Sequence, residues 1–156
     1  MRFNANGPVA PAGPFPKGID ERSRPDAQPG ERRPGGELSG GTRIFIAEDE
    51  VIVAMDISDG MEEAGAAIVG PAYTLTQAMV LAAHADITAA VLDMRLGRDS
   101  IGPVARLLAE RGIPFVFYSG QTNTDPLRAE WPAAPLIAKP APTRQLVRKL
   151  RELLRK

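Results

Sequence analysis

The stretch Ala90-Val91-Leu92-Asp93-Met94-Arg95-Leu96-Gly97 decides the fold. An apolar run stops abruptly at an acid, and a glycine follows soon after. Short apolar runs bounded by turn residues suit a strand buried on both faces, as in a parallel sheet. A carboxylate where such a strand ends projects into the crevice in which open α/β folds place their chemistry. Asp93 is therefore the candidate reactive group. Acids at strand ends are more often ordinary caps or turn residues, so the case depends on what the rest of the chain brings to Asp93.

Upstream, Arg43-Ile44-Phe45-Ile46-Ala47 reads as a buried strand ending at Glu48-Asp49-Glu50. A helix is expected from there to about Ala64, with Val53, Ile57, Met61 and Ala64 as one apolar stripe. Ala66 to Val69 reads as a second strand closed by Gly70-Pro71. Thr74 to about His84 reads as a second helix with Ala78, Leu81 and Ala82 inward. Ile87 to Leu92 is the strand that delivers Asp93. Downstream of the Gly97-Arg98-Asp99 loop, Ile101 to Arg111 is a third helix, and Pro114 to Tyr118 a fourth strand stopping at Ser119-Gly120. Prolines 126, 132 and 135 confine any fourth helix to about Asp125–Trp131. Leu136-Ile137-Ala138 is a short fifth strand ending at Lys139-Pro140. Thr143 is placed to N-cap the last helix, whose buried face is Leu146, Val147, Leu150, Leu153 and Leu154. Five strands alternating with five helices predict an α/β fold: a doubly wound five-stranded parallel sheet, order 2-1-3-4-5, flanked by five helices.

Composition narrows the function classes. Residues 1–41 hold half of the chain's Gly and Pro and show no helical or strand period. Such a segment buries too little apolar surface to offset its ordering entropy and is expected to be a disordered tail, with one domain over 42–156. Lys+Arg and Asp+Glu both number 19, so overall charge does not point to nucleic acid. The absence of cysteine excludes disulfides and thiolate metal sites. No apolar run approaches the roughly 20 residues needed to span a bilayer. Met1-Arg2-Phe3-Asn4 leads into no secretory-type apolar region, so the expected address is cytoplasmic.

In a parallel sheet every strand ends on one edge. Glu48 and Asp49, Asp93, Ser119 and Lys139 therefore converge on one crevice, and strands one and three meet at the topological switch point. Clustered carboxylates repel one another unless a cation is present, and hard oxygen ligands suit Mg²⁺. A carboxylate nucleophile can take a phosphoryl group as an acyl phosphate. Lys139 would offer a charge, and Ser119 a hydrogen bond, to the phosphoryl oxygens.

On these residues the chain from about 42 to 156 resembles the receiver domain of bacterial two-component response regulators, in its single-domain form. The motifs are Ile46-Ala47-Glu48-Asp49-Glu50, Leu92-Asp93-Met94-Arg95-Leu96-Gly97, Phe117-Tyr118-Ser119-Gly120 and Ala138-Lys139-Pro140. The resemblance implies a flavodoxin-like, CheY-like fold. It also implies that Asp93 accepts a phosphoryl group from a histidine kinase or histidine phosphotransfer protein. Asp49, Asp93 and the backbone carbonyl of Arg95 would hold Mg²⁺, with Glu48 acting through water. Ser119 would be the switch hydroxyl, Lys139 the lysine before a frequently cis Pro140. A downstream protein target would meet the fourth helix, fifth strand and fifth helix, with homodimerisation left open. One departure affects the output mechanism: the aromatic the family commonly carries three residues before the lysine is Leu136 here.

Rival readings differ in class. A receiver-fold binding module working without phosphate would be indifferent to replacement of Asp93. An aspartyl-phosphate phosphohydrolase needs a second acid two residues after the nucleophile, where Arg95 stands, so the chain is read as a signalling domain and not an enzyme. The basic outer face of the last helix is usual for an exposed helix and does not by itself indicate nucleic acid. His84, the only histidine, has no partner cluster and reads as structural.

Overall fold

A computed structural model describes residues 36–120 and 125–155. Its elements run β1 (Arg43–Ala47), α1 (Val51–Glu63), β2 (Ala67–Ala72), α2 (Leu75–His84), β3 (Ala89–Leu92), β4 (Arg95–Leu96), β5 (Asp99–Ser100), α3 (Gly102–Glu110), β6 (Phe115–Ser119), α4 (Pro126–Glu130), β7 (Leu136–Ala138) and α5 (Thr143–Leu154). Five strands form one parallel sheet in the order β2-β1-β3-β6-β7. This is the expected 2-1-3-4-5 order, with β6 and β7 as its fourth and fifth strands. The flavodoxin-like architecture follows.

Alternation along the strands sorts the core into two layers. Ile44 and Ile46 of β1, Ala89 and Val91 of β3, and Val116 and Tyr118 of β6 face α1 and α5. Phe45 and Ala47, Ala90 and Leu92, and Phe115 and Phe117 face α2 and α3. Each of these strands is buried along nearly its whole length, which is why each reads as an unbroken apolar run.

Four local features depart from the sequence reading. The loop expected at Gly97 is a small antiparallel hairpin, Leu96 opposite Asp99 and Arg95 opposite Ser100, turned at Gly97 with φ +61°. β2 does not close at Gly70-Pro71. A bulge absorbs one extra residue, so Phe45 pairs with Val69 and Ala47 with Ala72. Gly70 is required there: φ is +95°, and a Cβ would meet Ala72 N and Ile46 O. Thr143 is the first residue of α5 and not its N-cap, because Pro142 takes the extended cap position and makes no side-chain bond.

The fourth departure concerns the tail expected over 1–41. Residues 1–35 lie outside the described residues. Within the expected tail, Glu37–Gly41 form a turn, Leu38 N donates to Ala64 O at 2.8 Å, and Leu38 is 2% exposed within the α1/α5 layer. One leucine between polar and glycine residues carries no periodic signal. Among the described residues no helix is long and apolar enough to cross a membrane.

Candidate functional site

Register brings the strand ends together. Ala47 pairs with Leu92, Leu92 with Phe117, and Ser119 with Ala138. The residues just past these pairs leave the sheet on one edge. Asp93 N donates to Ala47 O at 2.9 Å, and Lys139 N to Ser119 O at 3.0 Å. The β2 bulge contributes as well, since Ala72 O accepts from Glu48 N at 3.0 Å. Backbone pairing therefore places Glu48, Asp49, Asp93, Ser119 and Lys139 around one crevice, as their positions in the sequence imply.

Lys139 crosses that crevice. Its Nζ lies 2.7 Å from Glu48 Oε2, 3.0 Å from Asp93 Oδ2 and 3.6 Å from Glu50 Oε1. The contact with Asp93 is a directed hydrogen bond; that with Glu48 Oε2 is an ion pair. Glu48 is 1% exposed, and its Oε1 accepts from Glu50 N at 3.1 Å. Asp49 is exposed and accepts from Gly97 N at 2.8 Å. Arg95, in β4, donates its backbone N–H to Asp93 Oδ1 at 3.3 Å. Ser119 is buried at the end of β6.

Charge is unbalanced here. Burial pushes the Glu48 carboxyl up to about 7, and nearby Asp93 adds to this, while Lys139 works against it. Burial would lower the Lys139 ammonium, but Glu48 and Asp93 outweigh it and raise its pKa. One cation thus serves several acids. One ligand oxygen from each of Glu48, Asp49 and Asp93 falls within 4.8 Å of the others. That hard-oxygen set, with surplus negative charge and an open side at Asp49, fits a divalent cation.

Two site residues escaped the sequence reading. Glu50 adds a further carboxylate near Lys139. Asp125 caps α4 by accepting from Leu127 N at 3.0 Å and also accepts from Arg95 Nε at 2.9 Å. An Asp-Pro pair opening a helix is the signal that identifies the cap; the arginine partner, 30 residues away, has none. Tyr118 belongs to the α1/α5 layer, its hydroxyl held by Ala141 N and O. Trp131 packs edge-on against Phe115 under α4. His84 is the exposed last residue of α2.

No protein-family model matches the chain, and no curated protein does. Solved structures do match. The response regulator receiver protein from Sinorhizobium medicae WSM419 is 25% identical with a TM-score of 0.64, over 74% of this chain and 95% of that one. SdrG from Sphingomonas melonis Fr1 is 34% identical with a TM-score of 0.64, over 75% of this chain and 99% of its own. A response regulator from Burkholderia pseudomallei, described with a phosphorylated aspartic acid, calcium ion and citrate, is 21% identical with a TM-score of 0.60, over 73% and 71%.

Proposed function

The chain belongs to the receiver-domain family of response regulators, and we propose that it is the phosphoacceptor of a cytoplasmic two-component relay, with Asp93 as the acceptor. The observation that carries this reading is the position of Lys139 Nζ, 3.0 Å from Asp93 Oδ2 inside the Glu48–Asp49–Asp93 cluster.

The donor is a phosphohistidine on a histidine kinase or phosphotransfer protein. An Asp93 carboxylate oxygen attacks phosphorus; the new P–O bond forms as the P–N bond breaks. The imidazole leaves with the bonding electron pair and is protonated from solvent. Asp49 and Asp93, the backbone carbonyl of Arg95 and, through water, Glu48 would hold Mg²⁺. The bound ion would neutralise charge on the transferring group.

The chain's own residues do the rest. Lys139 gives one ammonium hydrogen to a phosphoryl oxygen, a charge-assisted bond worth roughly 1.5–3 kcal/mol. Ser119 gives a hydroxyl hydrogen to another. Beside the acidic edge, the first turns of α1 expose Val51, Ile52 and Met55. That apolar patch suits a protein donor better than a free small molecule. The phosphorylated chain is a signal for a downstream protein met at α4, β7 and α5, and it turns over no substrate of its own beyond hydrolysis of its acyl phosphate.

Incubation with acetyl phosphate and Mg²⁺, followed by intact-mass measurement, tests the assignment. One phosphoryl group is expected on the native chain and none on Asp93→Asn. Labelling that persists in Asp93→Asn overturns it.

A further inference from the structure

One run of polar contacts joins Asp93 to α4. Arg95 donates its backbone N–H to Asp93 and its Nε–H to Asp125 Oδ2. Asp125 Oδ1 accepts from Leu127 N, and Asp125 O from Arg128 N, in the first turn of α4. The hairpin that carries Arg95 is also held by Asp49, through Gly97 N. Two acids of the site, Asp49 and Asp93, therefore grip the hairpin whose Arg95 reaches α4.

The two ends of this ion pair differ. The Asp125 side chain is 2% exposed and that of Arg95 41%. A carboxylate so buried depends on its counter-charge. Among the described residues the Arg95 guanidinium has no other hydrogen-bond or ion-pair partner, so its remaining N–H groups can serve an incoming anion. A guanidinium fork matches phosphoryl oxygens as well as it matches a carboxylate. α4 is one short turn of five residues, anchored by buried Leu127 and by Trp131 packed on Phe115. A helix that short has almost no stability of its own.

We propose that the Arg95–Asp125 pair is a charge-sensitive clasp that reports the state of Asp93 to α4. The proposal rests on the phosphoacceptor reading. A phosphoryl group on Asp93 competes with Asp125 for the Arg95 guanidinium. When Arg95 turns to the phosphoryl oxygens, Asp125 is left buried without its cation, and the start of α4 loosens. No covalent step beyond phosphorylation is involved. The clasp supplies the link that Leu136, half-buried against the α2/α3 layer, cannot supply through an aromatic ring.

The experiment uses the full chain with acetyl phosphate and Mg²⁺. Intact mass reads phosphorylation; emission of Trp131, the only tryptophan, and amide exchange over Leu127–Trp131 read α4. In the native chain both α4 signals change in step with phosphorylation. Normalised to the phosphorylated fraction that intact mass reads, Arg95→Ala is expected to lose about tenfold of that phosphorylation-dependent change in exchange, and Arg95→Lys to recover part of it. Asp125→Asn keeps a capping side chain but removes the charge, and it should lose the same response should Arg95→Ala fold poorly. An undiminished α4 response in both variants overturns the clasp, as does phosphorylation of the native chain with α4 unchanged. Failure of the native chain to take a phosphoryl group is the distinct result that sinks the underlying reading, and the clasp with it.

Discussion

Lys139, at the end of β7, and Asp93, at the end of β3, meet at 3.0 Å although β6 lies between their strands. The lysine side chain spans the C-terminal edge of β6 and ends among acids that would otherwise repel one another. Only 14% of it is exposed, so its charge is poorly replaced by water. Replacing it by methionine should cost the metal-free protein about 3 kcal/mol, the low end of the range for breaking a buried pair. Urea denaturation with and without Mg²⁺ checks this: added Mg²⁺ should return most of the loss, and labelling by acetyl phosphate should stay far below that of the native chain.

Glu48 supplies a pH dependence of definite sign. Its carboxyl ionises at about 7 in the folded chain, against an ordinary value of 4.5, because it is buried. Between those values the folded state binds more protons than the unfolded one. Stability from this group is therefore complete below about pH 4.5 and is lost as pH rises through about 7. The slope from one such group is at most about 1.4 kcal/mol per pH unit. Thermal melts of the metal-free protein across this window should fall with pH, and Glu48→Gln should flatten the fall. Mg²⁺ affinity should move the opposite way, rising as Glu48 loses its proton.

Ile52 separates a protein donor from a small one. It is 71% exposed on α1, two residues after Glu50. Ile52→Asp should leave stability within about 0.5 kcal/mol. Transfer from a phosphorylated histidine kinase domain should slow about tenfold, as for loss of an interface anchor. Labelling by acetyl phosphate should keep its native rate. Equal slowing with both donors would place Ile52 in the chemistry and not in docking.

Leu38 should prove to be part of the domain core. Its side chain is buried in the core layer that holds Ile57, Met61 and Leu150. Leu38→Ala should cost about 2–3 kcal/mol on urea denaturation, with phosphorylation of Asp93 unchanged where the protein stays folded.

Much of the site was legible because its residues sit at strand ends, and strand ends are marked locally. Asp93 follows Ala89–Leu92 as Glu48 follows Arg43–Ala47, and the parallel sheet carries both to one edge. Lys139 and Ser119 arrive by the same rule through β7 and β6. The two-residue period of the strands and the helical period of α2 and α5 are properties of neighbouring residues. Burial of alternate side chains selects them, so composition along the chain records them directly.

Contacts between distant segments leave no such record. The Arg95–Asp125 pair, the insertion of Leu38 beside Ala64, and the bulge that takes β2 past Gly70-Pro71 each depend on how separate elements meet. A lone leucine or an Asp-Pro pair reads the same in a loop as in a core. The sequence by itself thus determined the order of elements, the faces they bury and which residues share the active edge. Tertiary structure alone decided which charges pair across that edge and how Asp93 is tied to α4, because such pairing depends on distances of a few ångströms that no local pattern encodes.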